Sequence, residues 1–271
     1  MNRECYLCQQ PIIEELTWQE LFSFKCMDKP VVCPICQAGF INYQCFDQPC
    51  AGCGRALDAN SQTPFNRIYK WKQEIFCWDC YRWLRERTVS RSLLNHQAIY
   101  VYNDFFRSFI YRYKYLGDYR LAKVPARDLR SLYASYQDYC WLVLPSSPQS
   151  LQKRLFHPTA SILTQAGIPF LSPYTYIGDG VRQASKSREE RLNLSEPFKI
   201  DQLEFLQTTR QNKFMVFDDV YTTGATMIQA KQELMRVLKL AGTMDWQVSS
   251  LSLGRDPLKE MSATTDSSYT E

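Results

Sequence analysis

The sequence predicts an α/β protein in which a mostly parallel sheet with helices follows a small cysteine-rich module. Three observations support this. Four Cys-x-x-Cys pairs lie in the first 80 residues, short apolar runs later in the chain end in turn residues, and apolar residues at helical spacing separate two of those runs. Such runs are typical of strands buried on both faces. We expect a module with a connecting helix at 1–95, an α/β domain at 96–255 and a disordered polar tail at 256–271.

Composition narrows the function classes. The 271 residues are 45% hydrophobic and 14% aromatic, which suits a packed core and not a disordered chain. The net charge of +4 is mild, so nucleic-acid binding would need a local basic patch. No run approaches the ~20 apolar residues that span a bilayer, and the N-terminus lacks the apolar run of a signal peptide. We therefore expect a cytoplasmic protein with no membrane insertion.

The cysteine pairs predict metal sites. In a reducing compartment such spacing is typical of metal ligands, and two pairs complete one tetrahedral four-sulfur zinc site. Two structural Zn²⁺ ions are expected, and a redox or disulfide framework is the alternative. The predicted ligands are Cys5, Cys8, Cys33, Cys36, Cys50, Cys53, Cys77 and Cys80.

The pairing is open at this point. Joining the first pair to the second and the third to the fourth leaves 24 and 23 intervening residues, which suggests two consecutive units of one design. Joining the second and third pairs would leave 13 residues, which is also feasible. The remaining cysteines, Cys26, Cys45 and Cys140, are expected to be buried thiols.

The elements follow in order along the chain. The basic stretch Tyr81–Leu94 predicts a helix that leads out of the module. Trp141–Pro145 and Phe214–Phe217 predict buried strands, and Gln247–Leu253 predicts a later one. Between the last two strands a helix with a stop at Gly242 is indicated, which gives a right-handed crossover. Its apolar residues are Ile228, Leu234, Met235, Leu238 and Ala241.

The stretch FMVFDDVYTTGATM, Phe214–Met227, carries the strongest chemical signal. In open α/β sheets, ligands bind beyond the carboxyl ends of the strands, where Asp218 and Asp219 are expected. The following hydroxyls and helix N-terminus suit a phosphate, and the carboxylates suit sugar hydroxyls. A ribose 5-phosphate would satisfy both halves of the loop. The alternative is a helix cap with incidental acids, although one capping residue would suffice.

These residues resemble a known family. FMVFDDVYTTGAT looks like the phosphoribosyl-diphosphate (PRPP) motif of the type I phosphoribosyltransferases, with Tyr221 where an aliphatic residue is usual. With the cysteine-rich N-terminus, YKYLGD at Tyr113–Asp118, the strand WLVLP and the polar run Arg182–Asn193, the chain resembles the ComF family of competence proteins over nearly its full length. The resemblance implies a type I phosphoribosyltransferase-like fold.

The resemblance also implies residue roles. Asp218 and Asp219 would contact the ribose hydroxyls, the turn after WLVLP would meet pyrophosphate, and Mg²⁺ would bridge the ligand's oxygens. The run Arg182–Asn193 would be a mobile lid, or alternatively a solvated loop. The implied substrate-binding residues are Thr222, Thr223, Gly224, Ala225 and Thr226 for the 5-phosphate, Ser146 and Ser147 for pyrophosphate, and Arg182, Lys186, Arg188 and Arg191 on the lid.

One segment departs from the family pattern. Where relatives typically carry Arg-Gly-Phe-Asn-Gln, this chain has Arg154, Leu155, Phe156, His157 and Pro158. The change bears on pyrophosphate handling or acceptor recognition. We expect His157 to be a loop residue and not a catalyst.

Two basic-aromatic stretches are candidates for single-stranded DNA binding, in which cations follow the phosphates and rings stack on bases. Phe105–Arg130 has seven basic residues, two acidic residues and seven Phe or Tyr. The alternative is a helix that buries its rings. The candidate contacts are Arg107, Arg112, Lys114, Tyr115 and Arg120. A second candidate surface comprises Trp71, Trp78 and Trp83 with Arg82, Arg85 and Arg87.

Three functions follow from these patterns. The first is a competence factor that assists the handling of incoming single-stranded DNA in natural transformation, with the competence helicase as a partner implied by the family. The second is an active phosphoribosyltransferase that transfers ribose 5-phosphate from PRPP to a nitrogen acceptor by displacing pyrophosphate, with no protein nucleophile. The third is a non-catalytic PRPP sensor.

Overall fold

A computed structural model describes residues 3–13, 29–43, 48–61, 66–85, 89–177, 198–201, 211–242 and 245–256. The predicted lid cations Arg182, Lys186, Arg188 and Arg191 lie outside these residues, as do Arg87, Cys26, Cys45 and residues 257–271 of the predicted tail.

Short elements make up the N-terminal part. Strands β1 (Arg3–Glu4) and β2 (Pro11–Ile12) form one antiparallel pair, and the short helix α1 (Pro34–Ala38) follows. Strands β3 (Tyr69–Trp71) and β4 (Glu74–Phe76) form a second pair, which leads into helix α2 (Trp78–Arg85). The predicted helix over Tyr81–Leu94 is only partly right. Helix α2 begins earlier and ends at Arg85, and a 3₁₀ turn occupies Arg91–Leu94.

A four-stranded parallel sheet forms the centre of the molecule, which confirms the predicted fold class. Its strands are β5 (His96–Val101), β6 (Cys140–Val143), β9 (Lys213–Tyr221) and β10 (Gln247–Arg255), in the order β5-β10-β9-β6. Strand β9 is longer than predicted. It continues through both aspartates to Tyr221 because its backbone stays in register with β10, where Asp218 lies opposite Ser252.

Helices cover both faces of this sheet. They are α3 (Asp104–Lys114), α4 (Ala126–Tyr133), α6 (Pro158–Ala166) and α7 (Ala225–Leu240), with a 3₁₀ turn at Tyr119–Lys123. The short helix α5 (Pro148–Arg154), which has no buried residue, lies between β6 and α6 in the chain. A small antiparallel pair, β7 (Thr175–Tyr176) and β8 (Phe198–Lys199), lies between α6 and β9 in the chain. Helix α7 connects two neighbouring parallel strands as predicted, and Gly242 follows its end with φ 72°. Among the helices of the described residues, none combines the length and apolar character needed to cross a bilayer.

The sheet separates two hydrophobic cores. Phe214 and Val216 of β9 pack with α7 and with the cysteines of residues 50–80, while Met215 and Phe217 pack with α3 and with the cysteines of residues 5–36. Side chains alternate between the faces of a strand. The two cysteine groups therefore lie on opposite faces of the same sheet.

Candidate functional site

The eight paired cysteines form two tetrads. In each tetrad, Cys5/Cys8/Cys33/Cys36 and Cys50/Cys53/Cys77/Cys80, all four Sγ atoms lie within 4.8 Å of one another. The distances Cys8 Sγ–Cys33 Sγ, 3.7 Å, and Cys53 Sγ–Cys77 Sγ, 3.6 Å, agree with the ~3.8 Å between sulfurs that Zn–S bonds of ~2.3 Å give in a tetrahedron. The donor set therefore fits structural zinc. It also settles the pairing as first with second and third with fourth.

The tetrads repeat one design. The Cys33 N–H donates to Cys5 Sγ at 3.3 Å, and the Cys77 N–H donates to Cys50 Sγ at 3.2 Å. In each tetrad, the residue that follows the N-terminal Cys-x-x-Cys pair has a left-handed backbone conformation, with φ 62° for Gln9 and 68° for Gly54. N–H donation to sulfur stabilises the thiolate that a metal requires. The near-equal spacing of the cysteines thus corresponds to equivalent local structure.

The two aspartates lie near the end of β9, and a lysine accompanies them. Lys114 Nζ is 2.5 Å from Asp219 Oδ2, and Asp218 Oδ1 accepts the Asp219 N–H at 2.9 Å. Asp219 is buried, Asp218 half-buried, and Lys114 comes from the last turn of α3. The sequence prediction placed Lys114 among DNA contacts, whereas its ammonium is paired with a residue of the acidic motif.

Crowding of charge changes the protonation of this group. Burial, followed by the negative charge of Asp219, raises the pKa of Asp218 to about 7, although Lys114 partly offsets the rise. Burial lowers the pKa of Lys114, but attraction to Asp219 and Asp218 outweighs it and leaves that pKa above its usual value. When Asp218 is ionised, two carboxylates lie beside one ammonium and the centre of the site carries a net negative charge. A site of this kind gains from binding a further cation.

A cavity of about 200 Å³ opens beside these acids. Ser146 and Ser147, from the turn after β6, line it, and Ser147 also caps α5 by accepting the Ser150 N–H. Arg154, at the end of α5, lines the cavity and lies 5.7 Å from the Tyr115 ring. The lining also includes Lys114, Tyr115, Tyr176, Phe198, Asp218, Asp219 and Thr226. Residues predicted from separate motifs therefore converge on one cavity.

The predicted phosphate-binding turn, Thr222–Thr226, follows β9 directly and leads into α7. Gly224 adopts φ 85°, and a Cβ there would lie 2.2 Å from the Tyr221 Oη atom. Only glycine combines that left-handed conformation with so close an approach. Thr223 is buried, Thr222 and Thr226 are half-buried, and the Thr223 hydroxyl accepts the Ala225 N–H at 3.4 Å. Helix α7 thus begins at a compact turn whose N-terminal amides suit an anion.

The segment Arg154–Pro158, which departs from the family pattern, keeps the left-handed backbone conformation that a glycine would adopt. Leu155 has φ 63° and is exposed, so the chain adopts the left-handed turn despite a side chain, at a cost of about 1 kcal/mol. Phe156 packs against Tyr113, with ring centroids 5.3 Å apart. His157 caps α6 by accepting the Ala160 N–H at Nδ1. The departure therefore leaves Arg154 at the cavity and gives His157 a structural position.

The candidate DNA residues are scattered. Arg107 is exposed and pairs with Asp104. Arg112 donates to the backbone carbonyls of Tyr6 and Leu7, so it ties α3 to the first tetrad. Tyr115 joins Lys114 at the cavity, and Arg120 pairs with Asp118. The described residues of this stretch thus form no single basic-aromatic surface.

The second candidate DNA surface is also divided. Trp83 is buried, and its Nε1–H donates to the Thr223 carbonyl at 3.0 Å. Trp71 and Trp78 are half-buried, and Arg82 lies 5.7 Å from the Trp78 ring. Sequence reasoning missed the position of Trp83 because its partner lies 140 residues away. The i, i+3 spacing of Trp83 from Cys80 on α2 was the available signal that this ring faces the metal site.

The comparisons with known proteins agree with this architecture. A protein named Competence protein ComFC from Streptococcus pneumoniae (strain ATCC BAA-255 / R6) is 29% identical over 92% of this chain and 99% of its own length. A second Competence protein ComFC, from Bacillus subtilis (strain 168), is 26% identical over 93% of this chain and 94% of its own length. No protein-family model matches the chain. Both alignments span the cysteine-rich part and the sheet together, so the chain is similar to these competence proteins over nearly its whole length.

Proposed function

We propose that the chain is a late competence factor that binds PRPP with Mg²⁺ and assists the handling of incoming single-stranded DNA in the cytoplasm. The observation that carries the PRPP part is the cavity at the end of β9. It joins the two acids, the Ser146–Ser147 turn and Arg154, and it adjoins the N-terminus of α7. A ligand with sugar hydroxyls between two phosphate groups matches this order of acceptors and donors.

In this proposal each wall of the cavity takes one part of the ligand. Asp218 and Asp219 accept hydrogen bonds from the ribose hydroxyls, and the amides and hydroxyls of Thr222–Thr226 hold the 5-phosphate. The Ser146–Ser147 turn and Arg154 face the pyrophosphate. Mg²⁺, held by the ligand with Asp218 nearby, would neutralise charge on the pyrophosphate. The four lid cations, which lie outside the described residues, would add to that neutralisation.

If the chain is an active phosphoribosyltransferase, the reaction is displacement of pyrophosphate at the anomeric carbon by a nitrogen acceptor. The new bond is C–N, the broken bond is C–O, pyrophosphate leaves with the electron pair, and the acceptor nitrogen releases its proton to solvent. The chain's residues would position ribose and stabilise the leaving group through Lys114 and Arg154. Tyr115, Tyr176 and Phe198 line the same cavity and offer aromatic surface to a planar acceptor. A non-catalytic PRPP sensor would use the same contacts without turnover.

Pyrophosphate release from PRPP separates these functions. The wild-type chain is incubated with PRPP, Mg²⁺ and candidate acceptors, including single-stranded DNA, beside the Asp218→Asn/Asp219→Asn double variant. Asp245→Asn, which changes an exposed acid outside the cavity, is the matched control. Release that needs both acids supports the transferase. PRPP binding without release, together with loss of transformation in the double variant, supports the sensor. Transformation that survives the double variant rejects a role for the site in competence.

A separate observation favours a DNA-binding surface. Four cations, Arg3, Lys29, Arg120 and Lys123, line a concave region of about 550 Å³ beside the first tetrad, where Glu4 is the lining acid. Arg120 also lies 5.5 Å from the Tyr6 ring. Clustered cations beside an aromatic ring suit a single-stranded phosphate backbone without sequence preference. We therefore propose this basic cleft, which includes Arg120 of the predicted stretch, as the DNA contact instead of Arg107, Arg112, Lys114 and Tyr115. The competence helicase remains a proposed partner from the family resemblance.

The salt dependence of DNA binding tests the cleft. A Lys29→Ala/Lys123→Ala variant should bind single-stranded DNA more weakly, and the slope of log K against log salt should fall by about 1.4, as two lost phosphate contacts imply. Lys239→Ala, which removes an exposed lysine at the end of α7, is the matched control. Equal slopes for all three proteins would reject the cleft as the DNA contact.

A further inference from the structure

The second cysteine tetrad, Cys50/Cys53/Cys77/Cys80, is connected to the predicted phosphate-binding turn through neighbouring side chains. Helix α2 carries both Cys80 and the buried Trp83, whose Nε1–H donates to the Thr223 carbonyl at 3.0 Å. The Thr223 carbonyl and the Gly224 N–H belong to one planar trans peptide, so they point in opposite directions. Fixing the carbonyl on Trp83 therefore also fixes the direction in which the Gly224 N–H points.

A second connection runs through the residue that departs from the usual PRPP motif. Tyr221 is buried, and its ring lies 4.4 Å from the Arg255 guanidinium and 3.8 Å from the His96 ring. Arg255 is fully buried and donates from Nη2 to Cys53 Sγ at 2.9 Å. Because the Tyr221 hydroxyl lies directly beneath Gly224, the position of this ring limits how closely the turn can approach the core. An aliphatic residue at this position could not make these contacts.

The charges around the second tetrad give a reason why the position of Tyr221 and Arg255 would depend on a bound metal ion. A divalent ion with four thiolates carries a formal charge of −2, and a buried cation needs such a partner. At the second tetrad, the Arg255 guanidinium donates a hydrogen bond to Cys53 Sγ. The same core region contains the buried ion pair Arg55–Asp79 and the buried Lys231. Loss of the metal would remove the negative charge of the metal–thiolate group that pairs with the Arg255 guanidinium. The phenol ring stacked on Arg255 would then lose its fixed position.

We propose that the second metal centre positions the 5-phosphate turn, with Trp83, Tyr221 and Arg255 as positioning residues. The first tetrad has no such part, because it packs on the opposite face of the sheet. The inference rests on the proposed PRPP function for the identity of the ligand, but the connection between metal and turn does not. The chemistry recognised at this turn is a sugar 5-phosphate, and the pyrophosphate end of the ligand meets other residues.

Trp83→Phe tests the connection, because it keeps an aromatic ring in the core and removes one N–H. Trp141→Phe is the matched control. Trp141 is also fully buried and donates from Nε1 to a backbone carbonyl, that of Tyr136 at 3.3 Å. Ribose 5-phosphate and magnesium pyrophosphate are titrated separately by calorimetry. Trp83→Phe should weaken the binding of ribose 5-phosphate by about tenfold, the effect of one lost hydrogen bond. It should change the affinity for magnesium pyrophosphate by less than about twofold. Trp141→Phe should change neither.

An equal loss of both ligands in Trp83→Phe, or no loss of either, would overturn the inference. Hydrogen exchange of the amides of residues 222–225 gives a readout without ligand. Exchange should accelerate in Trp83→Phe and in Arg255→Lys, and not in Trp141→Phe. If the wild type binds neither ligand, the proposed PRPP function fails, and hydrogen exchange still decides the connection. Unchanged exchange in both variants would reject it.

Discussion

Replacing Asp218 with asparagine should stabilise the protein above neutral pH, even though the residue is central to the proposed site. The folded pKa of Asp218 is about 7, against an ordinary 3.8, because burial and the charge of Asp219 disfavour the carboxylate. The folded state therefore holds a proton that the unfolded state has lost. The stability that this proton contributes is complete below about pH 4 and is lost as pH rises through about 7.

The size of the effect follows from that difference. A pKa raised from 3.8 to about 7 corresponds to about 4 kcal/mol in full, of which about 2.5 kcal/mol falls between pH 5 and pH 8. Because Asp218 is only half-buried, solvent screens part of this cost, and we expect about 1 to 2 kcal/mol over that interval. Relative to wild type, Asp218→Asn should therefore gain about 3 to 6 °C in Tm between pH 5 and pH 8.

Urea unfolding and thermal melts at pH 5 and pH 8 measure this difference. Asp245→Asn removes an exposed acid and should show no such dependence on pH. A stability difference between Asp218→Asn and wild type that is the same at both pH values would show that the pKa of Asp218 is not raised in the folded state. A variant that is less stable than wild type at pH 8 would show the same, because it would mean that ionising Asp218 does not destabilise the folded protein.

Three further predictions follow. Metal analysis should find about two zinc ions per chain, and Cys36→Ser or Cys80→Ser should each lower the count to about one; a metal-free folded chain would contradict this. Lys114→Gln should weaken PRPP binding by about tenfold, because Asp219 loses its counter-ion, and calorimetry showing unchanged affinity would reject that role for the lysine. Gly224→Ala should abolish PRPP binding while the metal content stays at two, since the new Cβ would collide with the Tyr221 hydroxyl.

Local patterns in the sequence were enough for much of the fold. The Cys-x-x-Cys spacing, the apolar runs and the helical repeat before Gly242 each depend on neighbours within a few turns, and the structure agrees with them. The end of β9 was placed too early because two adjacent acids are unusual inside a strand. Pairing with β10 overrides that local preference and carries the strand to Tyr221.

Contacts between distant segments could not be predicted. Lys114 lies 105 residues before Asp219, so its positive charge looked like part of a basic patch and not like a counter-ion. The position of the two tetrads on opposite faces of the sheet depends on which face each connecting segment covers, and no spacing encodes that choice. For the same reason, the burial of Trp83 beneath Thr223 could be seen only in three dimensions.

Calorimetric titration with PRPP in the presence of Mg²⁺ tests directly whether the cavity at the end of β9 binds PRPP. We expect saturable binding of one PRPP per chain, which is lost in the Asp218→Asn/Asp219→Asn double variant and retained in Asp245→Asn. Absence of binding to a wild-type chain with both zinc sites filled, or equal binding by wild type and the double variant, would contradict it.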